Sequence, residues 1–403
     1  MKILHICAIG VTANKLLRSQ IDDQRSRGLD VHIACSPDAA ADALKTEGYT
    51  LQPVQIDRAI APRKNWASLR QLVQLMRREK YDLVHVHTPI AAVLGRVAAK
   101  LAGVPRIVYT AHGFPFHDQL LPSQYWFYFT IEKVCARFTD LIFTQSAEDR
   151  ANSVRLGLCP AHKVRHLNNG IDCQRFSRQR LQPTSQRQLR QALGIADGPL
   201  IGTIGRLTRA KGFAYLIEAV AHLVPQFPDV QVLIIGGELS TDPEPFEAEL
   251  IQRAIELGIR DRVTFTGFRD DIPDLLGLLD VFALPTYFGE GLPRSILEAM
   301  AMGLPIVTTD IRGCREAVQP QHNGLIVPPK DSGALAAALA TLLADPALRQ
   351  RFGTASRQRV EAEFDENFVF QRLAQGYHDL GLEFPTAPPP VAAEATAIAL
   401  SPS

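Results

Sequence analysis

Two glutamates, Glu290 and Glu298, stand with seven residues between them in the segment EGLPRSILE. The segment follows the apolar run Val281–Leu284 and the turn PTYFGEG. A carboxylate accepts two hydrogen bonds from a vicinal diol, the group that a ribose or a hexose presents. Pro293 suits the first position of a helix. That places Glu298 about one turn inside the helix and Glu290 in the loop before it. The amides of Gly291 and Leu292 would then face outward at a helix N-terminus, where an anion or a sugar hydroxyl is accommodated. The plainer alternative is a helix whose first turn merely favours acidic residues.

A second set is cationic. Gly205-Arg206-Leu-Thr-Arg-Ala-Lys211-Gly212 follows the apolar run Leu200–Ile204 and opens a helical pattern. Arginine offers phosphate a planar pair of donors and lysine a point charge. The alternative is ordinary solvated cations, weakened because these lie just after a strand. A third set is His112-Gly113 in IVYTAHGFPFH, where a histidine could hydrogen-bond a sugar hydroxyl. Alone, His112 reads more readily as a satisfied structural residue. His85 and His87 alternate in one apolar run and resemble metal ligands, but no third ligand is evident along the chain. His117 is a lesser candidate. No Asp-x-Asp motif occurs, although Asp270 and Asp271 are adjacent, and Ile-Ile-Gly-Gly-Glu lacks the GxGxxG spacing of a dinucleotide site.

These residues need a frame that brings strand ends together. Short apolar runs alternate with helical patterns along the whole chain. In the first half, strands are predicted at Ile3–Cys7, Val31–Cys35, Leu83–His87, Ile107–Thr110 and Leu141–Thr144. Helices are predicted near Leu16–Arg27, Trp66–Arg78, Ile90–Leu101 and Ser123–Phe138. The second half repeats the scheme. Its strands are Leu200–Ile204, Val230–Ile235, Val263–Phe265, Val281–Leu284 and Ile306–Thr308. Its helices are Phe213–Val224, Phe246–Leu257, Ser295–Met302 and Ala334–Leu343. Continuous apolar strands flanked by helices imply parallel sheets covered on both faces. Two such arrays imply an α/β fold of two Rossmann-like, doubly wound domains facing a cleft. The expected division is 1–172, a hinge at 173–199 announced by the turn signal NNGID, and 200–365. A helix at 366–384 would pack back toward the first domain, and a Pro/Ala-rich tail at 385–403 would be disordered. In open parallel sheets, ligands bind beyond the carboxyl ends of the strands, where all three residue sets fall.

The totals agree with such a chain. It has 403 residues, 46% hydrophobic and 21% charged, and a net charge of +1. Residues 1–172 carry 22 basic against 15 acidic side chains, and the remainder 21 against 27. The near-zero total gives no sign of nucleic-acid binding, while the basic first half could face an anionic partner. Six scattered cysteines without zinc spacing suggest a reduced, intracellular protein. MKILHICAIG reads as a first strand and not a signal peptide. The expected location is cytoplasmic, peripheral on the inner face of the membrane.

With EGLPRSILEAMAMGLPIV, the GRL…KG element, HG after a strand and NGID on the page, the chain resembles retaining glycosyltransferases of family 4, over roughly residues 1–380. The segment VHVHTPIAAVLGRVAAKLAGVPRIVYTAHGFPFH is similar to members that build capsule, exopolysaccharide or lipid-linked oligosaccharide repeats. The resemblance implies the two-domain GT-B architecture and a nucleotide-sugar donor, with UDP and a hexose or N-acetylhexosamine expected. It implies that Arg206 and Lys211 hold the donor pyrophosphate, Glu298 the ribose, and Glu290 with the Gly291, Leu292 and Pro293 segment the transferred sugar. It assigns His112 to that sugar from the first domain and places Arg269 near the base. Many members carry Gly-Gly in the first loop where this chain has Ile9-Gly10-Val11, so a substrate role for Gly10 is the weakest part of the match. Fixed cations and helix dipoles would stabilise the leaving phosphate without a metal or other cofactor. No carboxylate nucleophile is evident, so the family pattern implies same-face attack with retention.

The acceptor, a glycan or lipid-linked sugar, would bind the basic half. Residues 58–80 hold Arg58, Arg63, Lys64, Arg70, Arg77, Arg78 and Lys80 around Trp66, with Glu79 the opposing charge. Such a helix can lie on an anionic leaflet or simply pack on the sheet and solvate its outer face. The aromatic run Tyr125–Phe129 is expected to pack as core. Two alternatives share the architecture, a UDP-sugar epimerase and a non-catalytic nucleotide-sugar-binding protein.

Overall fold

The computed structural model describes residues 1–57, 61–117, 119–238 and 245–385. Arg58 and the tail from residue 386 onward lie outside the described residues. Thirteen strands are assigned among them: β1 (Lys2–Ile9), β2 (Asp30–Ser36), β3 (Thr50–Pro53), β4 (Leu83–His87), β5 (Arg106–Ala111), β6 (Leu141–Thr144), β7 (Val164–His166), β8 (Leu200–Ile204), β9 (Gln231–Ile235), β10 (Val263–Phe265), β11 (Val281–Leu284), β12 (Ile306–Thr309) and β13 (Gly324–Val327). They form a seven-stranded sheet in the order β3-β2-β1-β4-β5-β6-β7 and a six-stranded sheet in the order β10-β9-β8-β11-β12-β13. The strand pairings are parallel, for example His5 opposite His85 and Phe282 opposite Ile306. Helices connect the strands, as parallel pairing demands. The expected α/β class with two doubly wound sheets is what folds.

The backbone divides into two compact units. One comprises Met1–Tyr109 with Phe138–Asp140 and the chain from Ala374; the other comprises Thr110–Arg137 and Leu141–Leu373. In the second unit, successive strand residues serve opposite layers. Leu200, Phe282, Leu284 and Ile306 pack into one apolar cluster, with Ile296, Leu297 and Met300 of the helix Arg294–Ala301. Their neighbours Ile201, Val281, Ala283 and Val307 pack into the other, under the helices Phe213–Leu223 and Ser332–Ala344. Both faces are covered, which is why these strands read as unbroken apolar runs. Each large side chain so buried contributes about 1.5–3 kcal/mol.

Several elements escaped the periodicity. The helices Ala39–Thr46, Ala147–Arg155 and Pro346–Glu363 are polar or Ala-rich. Their starts were nonetheless encoded. Asp38 accepts from the Ala41 amide at 2.8 Å, Ser146 from Asp149 at 3.0 Å and Asp345 from Leu348 at 2.9 Å, each an N-cap that satisfies an orphan donor. The edge strands β3, β7 and β13 are only three or four residues long and half-buried, too short for an alternation to register. The first helical segment also starts earlier than expected. Gly10 opens it directly at the end of β1, and a five-residue π-helical stretch at Ala13–Leu17 leads into Arg18–Ser26. Ile9-Gly10-Val11-Thr12 is therefore not an open loop. A Cβ on Gly10 would lie 2.2 Å from Asp38 Oδ1, so the close approach of two helix starts requires glycine there.

The aromatic run departs from expectation in part. Phe129 is buried and Tyr125 half-buried, but Trp126 and Phe127 of the helix Pro122–Ala136 are 56% and 50% exposed. Five consecutive aromatics span more than one helix face, so a single layer cannot bury them all. All six cysteines are free and buried.

Candidate active site

In the six-stranded sheet the order reverses between β8 and β11, the place where open α/β sheets bind ligands. The chain leaving β8 forms the one-turn 3₁₀ helix Arg209–Lys211 and then Gly212. Gly212 has φ +73°, and a Cβ there would lie 2.0 Å from the Pro285 carbonyl oxygen. Glycine thus lets the chain after β8 touch the chain after β11. The contact is sealed by the Tyr287 amide, which donates to Ala210 O at 3.0 Å.

That approach brings two predicted residues together. Lys211 Nζ forms an ion pair with Glu290 Oε1, between largely buried side chains. The Thr286 hydroxyl lies 3.1 Å from the same oxygen and 3.0 Å from Ala210 O, and can donate to one at a time. Glu290 also faces the buried thiol of Cys314, which is pushed up to about 12 by burial and then by the Glu290 charge. Glu298 lies within the helix Arg294–Ala301, near Arg294 Nε at 3.4 Å, with its side chain 14% exposed. Pro293 is the residue before that helix, not its first member as expected; its ψ of 115° is extended. Leu292 and Pro293 are buried, and Leu292 O accepts from Asn169 Nδ2 of the NNGID segment at 2.9 Å. Arg206 is half-buried at the carboxyl end of β8. Arg269 is held by Asp271 through two contacts of 2.8 and 2.6 Å, and the guanidinium draws the Asp271 carboxyl below its usual range.

His112 and Gly113 follow β5 and belong to the same compact unit as Glu290. Desolvation lowers His112 to about 4, partly offset by a hydrogen bond with Gln145, so the ring is neutral at pH 7. A Cβ on Gly291 would lie 2.2 Å from His112 O, so this loop and the Glu290 loop run in backbone contact. Gly10 is the one predicted site residue in the other unit. A pocket beside Glu290 is lined by His117, Tyr125, Asp149, Arg312 and Arg315. His117 packs edge-on to Phe288 at 4.2 Å and contacts Gln119 Oε1 at 2.7 Å.

Sequence reasoning missed Thr286, Asp149, Arg312 and Glu316. The available signal was position. Asp310-Ile-Arg-Gly-Cys-Arg-Glu316 begins at the end of β12, a fourth strand end beside the three already singled out.

Reasoning from sequence also missed the third histidine. His5, on β1 opposite His85, completes a buried trio with His85 and His87. The hydrogen bonds assign its protons. Gln24 Oε1 can only accept, so His5 Nε2, 2.7 Å away, carries a hydrogen. Burial lowers His5 to about 4, so the neutral ring leaves Nδ1 to accept from His87 Nε2 at 3.0 Å. His85 Nδ1 meets the Tyr377 hydroxyl at 2.5 Å, and Gln24 Nε2 donates to that hydroxyl at 3.4 Å. Both nitrogens of His5, together with His87 Nε2 and His85 Nδ1, are thus engaged in hydrogen bonds.

Two doubly wound parallel sheets, with an acid–cation pair at a topological switch point, define the GT-B class of glycosyltransferase. The comparisons with known proteins agree. Residues 185–359 match the family described as glycosyl transferases group 1, and residues 5–146 match glycosyl transferase 4-like. The UDP-Gal:alpha-D-GlcNAc-diphosphoundecaprenol alpha-1,3-galactosyltransferase of Escherichia coli is 31% identical over 71% of this chain and 72% of its own length. The capsular polysaccharide biosynthesis glycosyltransferase CapM of Staphylococcus aureus is 26% identical over 94% and 97%. The crystal structure of Anabaena Alr3699/HepE in complex with UDP-glucose superposes with a TM-score of 0.79 at 26% identity, covering 94% of this chain and all of that one. The chain belongs to the group 1, family 4-like glycosyltransferases. The epimerase alternative gains no support from these relatives.

Proposed function

We propose that this glycosyltransferase moves a hexose or N-acetylhexosamine from UDP to a glycan or lipid-linked acceptor in surface-polysaccharide assembly, with retention and without a metal. The observation that carries the reading is the Lys211–Glu290 pair at the switch between β8 and β11. On donor binding, Lys211 and Arg206 would turn to the pyrophosphate, Glu298 to the ribose, Glu290 to the transferred sugar and Arg269 to the region of the base. The C1–O bond to the β-phosphate breaks, the acceptor oxygen bonds C1 on the same face, and its proton passes to the departing phosphate oxygen. Fixed cations supply the charge stabilisation. Neutral His112 would hydrogen-bond the sugar, and Gly10 would border the substrate in its own unit. The UDP-glucose bound to the Anabaena protein and the lipid diphosphate in the name of the E. coli relative favour this donor and acceptor chemistry. The division of labour expected above, acceptor in 1–172 and donor in 200–365, is part of the proposal.

A peripheral membrane position belongs to the same reading. Among the described residues no helix is long and apolar enough to cross a membrane. The helix Pro62–Glu79 buries Ser68, Leu72, Leu75 and Met76 and leaves Arg63, Lys64, Trp66 and Arg70 outward, so packing and surface binding are compatible on opposite faces.

Thermal unfolding with UDP-glucose, UDP-galactose and UDP-N-acetylglucosamine in EDTA tests the donor site. A stabilisation by one of them that is lost in Arg206→Ala and Glu298→Ala supports it, and the anomeric configuration of the product tests retention. No stabilisation by any nucleotide sugar would remove the reading's main support.

A further inference from the structure

The loop after β12 carries a buried arginine whose guanidinium holds three other segments. Arg312 Nε donates to Glu290 O at 3.1 Å, Nη2 to Phe114 O at 3.2 Å, and Nη1 to Asp149 Oδ1 at 2.6 Å and Phe116 O at 3.4 Å. Asp149 returns the connection, since its Oδ2 accepts from the Phe114 amide at 3.3 Å. Both residues are nearly inaccessible, Arg312 at 9% and Asp149 at 1%. The next residue, Gly313, has φ +79°, and a Cβ there would lie 1.3 Å from Gly291 O. Backbones therefore meet where the guanidinium binds.

From this geometry we propose that Arg312 and Asp149 are a positioning pair, which sets the Glu290 loop against the His112-bearing loop so that both side chains address the transferred sugar. The proposal rests on the sugar-binding roles given above to Glu290 and His112. Every arm of the Arg312 fork is engaged with a protein acceptor, so it acts through these loops rather than as a catalytic residue. Lysine could not replace it, because one ammonium cannot span four acceptors in the plane of a guanidinium. Asp149 is itself oriented. Its amide donates to the N-cap hydroxyl of Ser146 at 3.0 Å, and that hydroxyl donates to Glu316, whose carboxylate also accepts from Ala147 N at 2.7 Å. Four strand ends, those of β5, β6, β11 and β12, are thereby joined through two buried charges.

Displacement of a reacting group by about 1 Å costs about 10²-fold in rate. The test uses the full chain and the UDP-sugar with the highest turnover, comparing wild type, Arg312→Lys and Asp149→Asn. The stoichiometry of a UDP titration counts the folded sites, and kcat is expressed per UDP-binding site. Expected is unchanged UDP affinity and donor KM, with kcat lowered about 10²-fold in Arg312→Lys and less in Asp149→Asn, which keeps an acceptor of the same shape. A purely structural role would reduce the number of sites and leave kcat per site intact. That result in both variants overturns the proposal. Should Arg312→Lys not fold, Asp149→Asn decides by the same criterion. A wild type that binds no nucleotide sugar overturns the donor reading first, and the positioning role with it.

Discussion

Two clusters of ionisable side chains sit on two parallel sheets, and they differ in where along the strands they lie. His5, His85 and His87 stand within β1 and β4, fully buried and joined through Gln24 and Tyr377. Lys211, Glu290 and Arg312 lie just past the ends of β8, β11 and β12, held by loops. Within a strand both backbone partners are taken and the side chains meet only packed neighbours, so a polar group must be satisfied internally. Past the strand ends the chain turns, space opens, and charges can exchange a protein partner for a ligand. A cluster of titratable groups is therefore not in itself a site; its place relative to the sheet decides. The alternation of His85 and His87 in one apolar run could not distinguish these cases, whereas position relative to the strand ends could.

The comparison breaks most visibly at the strand-end cluster. Replacing Lys211 with Ala, or Glu290 with Gln, should lower kcat by about 10²–10³-fold, the cost of removing one preorganised group around developing charge. Initial rates at saturating UDP-sugar measure it, and rates near wild type for both would deny the pair its role. Glu298→Ala should act on binding, raising the donor Kd about 10–100-fold for the loss of a charged hydrogen bond of about 1.5–3 kcal/mol. Calorimetric titration with UDP reads this, and an unchanged Kd would place the ribose elsewhere.

The histidine chain should respond in the opposite way. His5→Gln should leave kcat per folded molecule unchanged while destabilising the protein by about 1–3 kcal/mol, since it breaks a buried hydrogen-bond chain. The pH dependence has a definite sign. His5 titrates near 4 in the folded protein against an ordinary 6.5. Between those values the unfolded state binds more protons, so stability falls as pH falls through that window. His112 shares the sign, lowered likewise to about 4. Asp149, raised by burial to about 6, opposes it, because the folded state then binds the extra proton. Urea unfolding at pH 7 and pH 4.5 should show a smaller pH effect in His5→Gln than in wild type; an equal effect would remove His5 from the account. The smallest change is expected on the outer surface. Trp66 is 63% exposed, so Trp66→Ala should leave stability unaltered and reduce co-sedimentation with anionic vesicles at low salt. Equal sedimentation of both proteins would argue against this helix as the anchor.

Much of the frame was legible because parallel strands buried on both faces write continuous apolar runs, and because prolines and glycines punctuate them. Val281–Leu284 was read to the residue. Elements whose signal is a single cap residue, such as the helix that Ser146 begins, were not. Trp126 and Phe127 show the limit of residue type alone: hydrophobicity announced a core, but the helix turned them outward.

What the sequence by itself determined is local and periodic: two α/β arrays, and the fall of Arg206, Lys211, His112 and Glu290 just after predicted strands. What only the tertiary structure decided is which of those ends meet. The order β10-β9-β8-β11-β12-β13 sets β8 beside β11, so Lys211 reaches Glu290 across 79 residues of sequence. It also sets β12 beside β11, so Arg312 can grip the Glu290 backbone. The pairing of β1 with β4 likewise adds His5 to a pair that looked incomplete. Periodicity reports which face of an element is buried. It carries no record of which strand will be its neighbour, and that choice is made by the packing of the whole sheet.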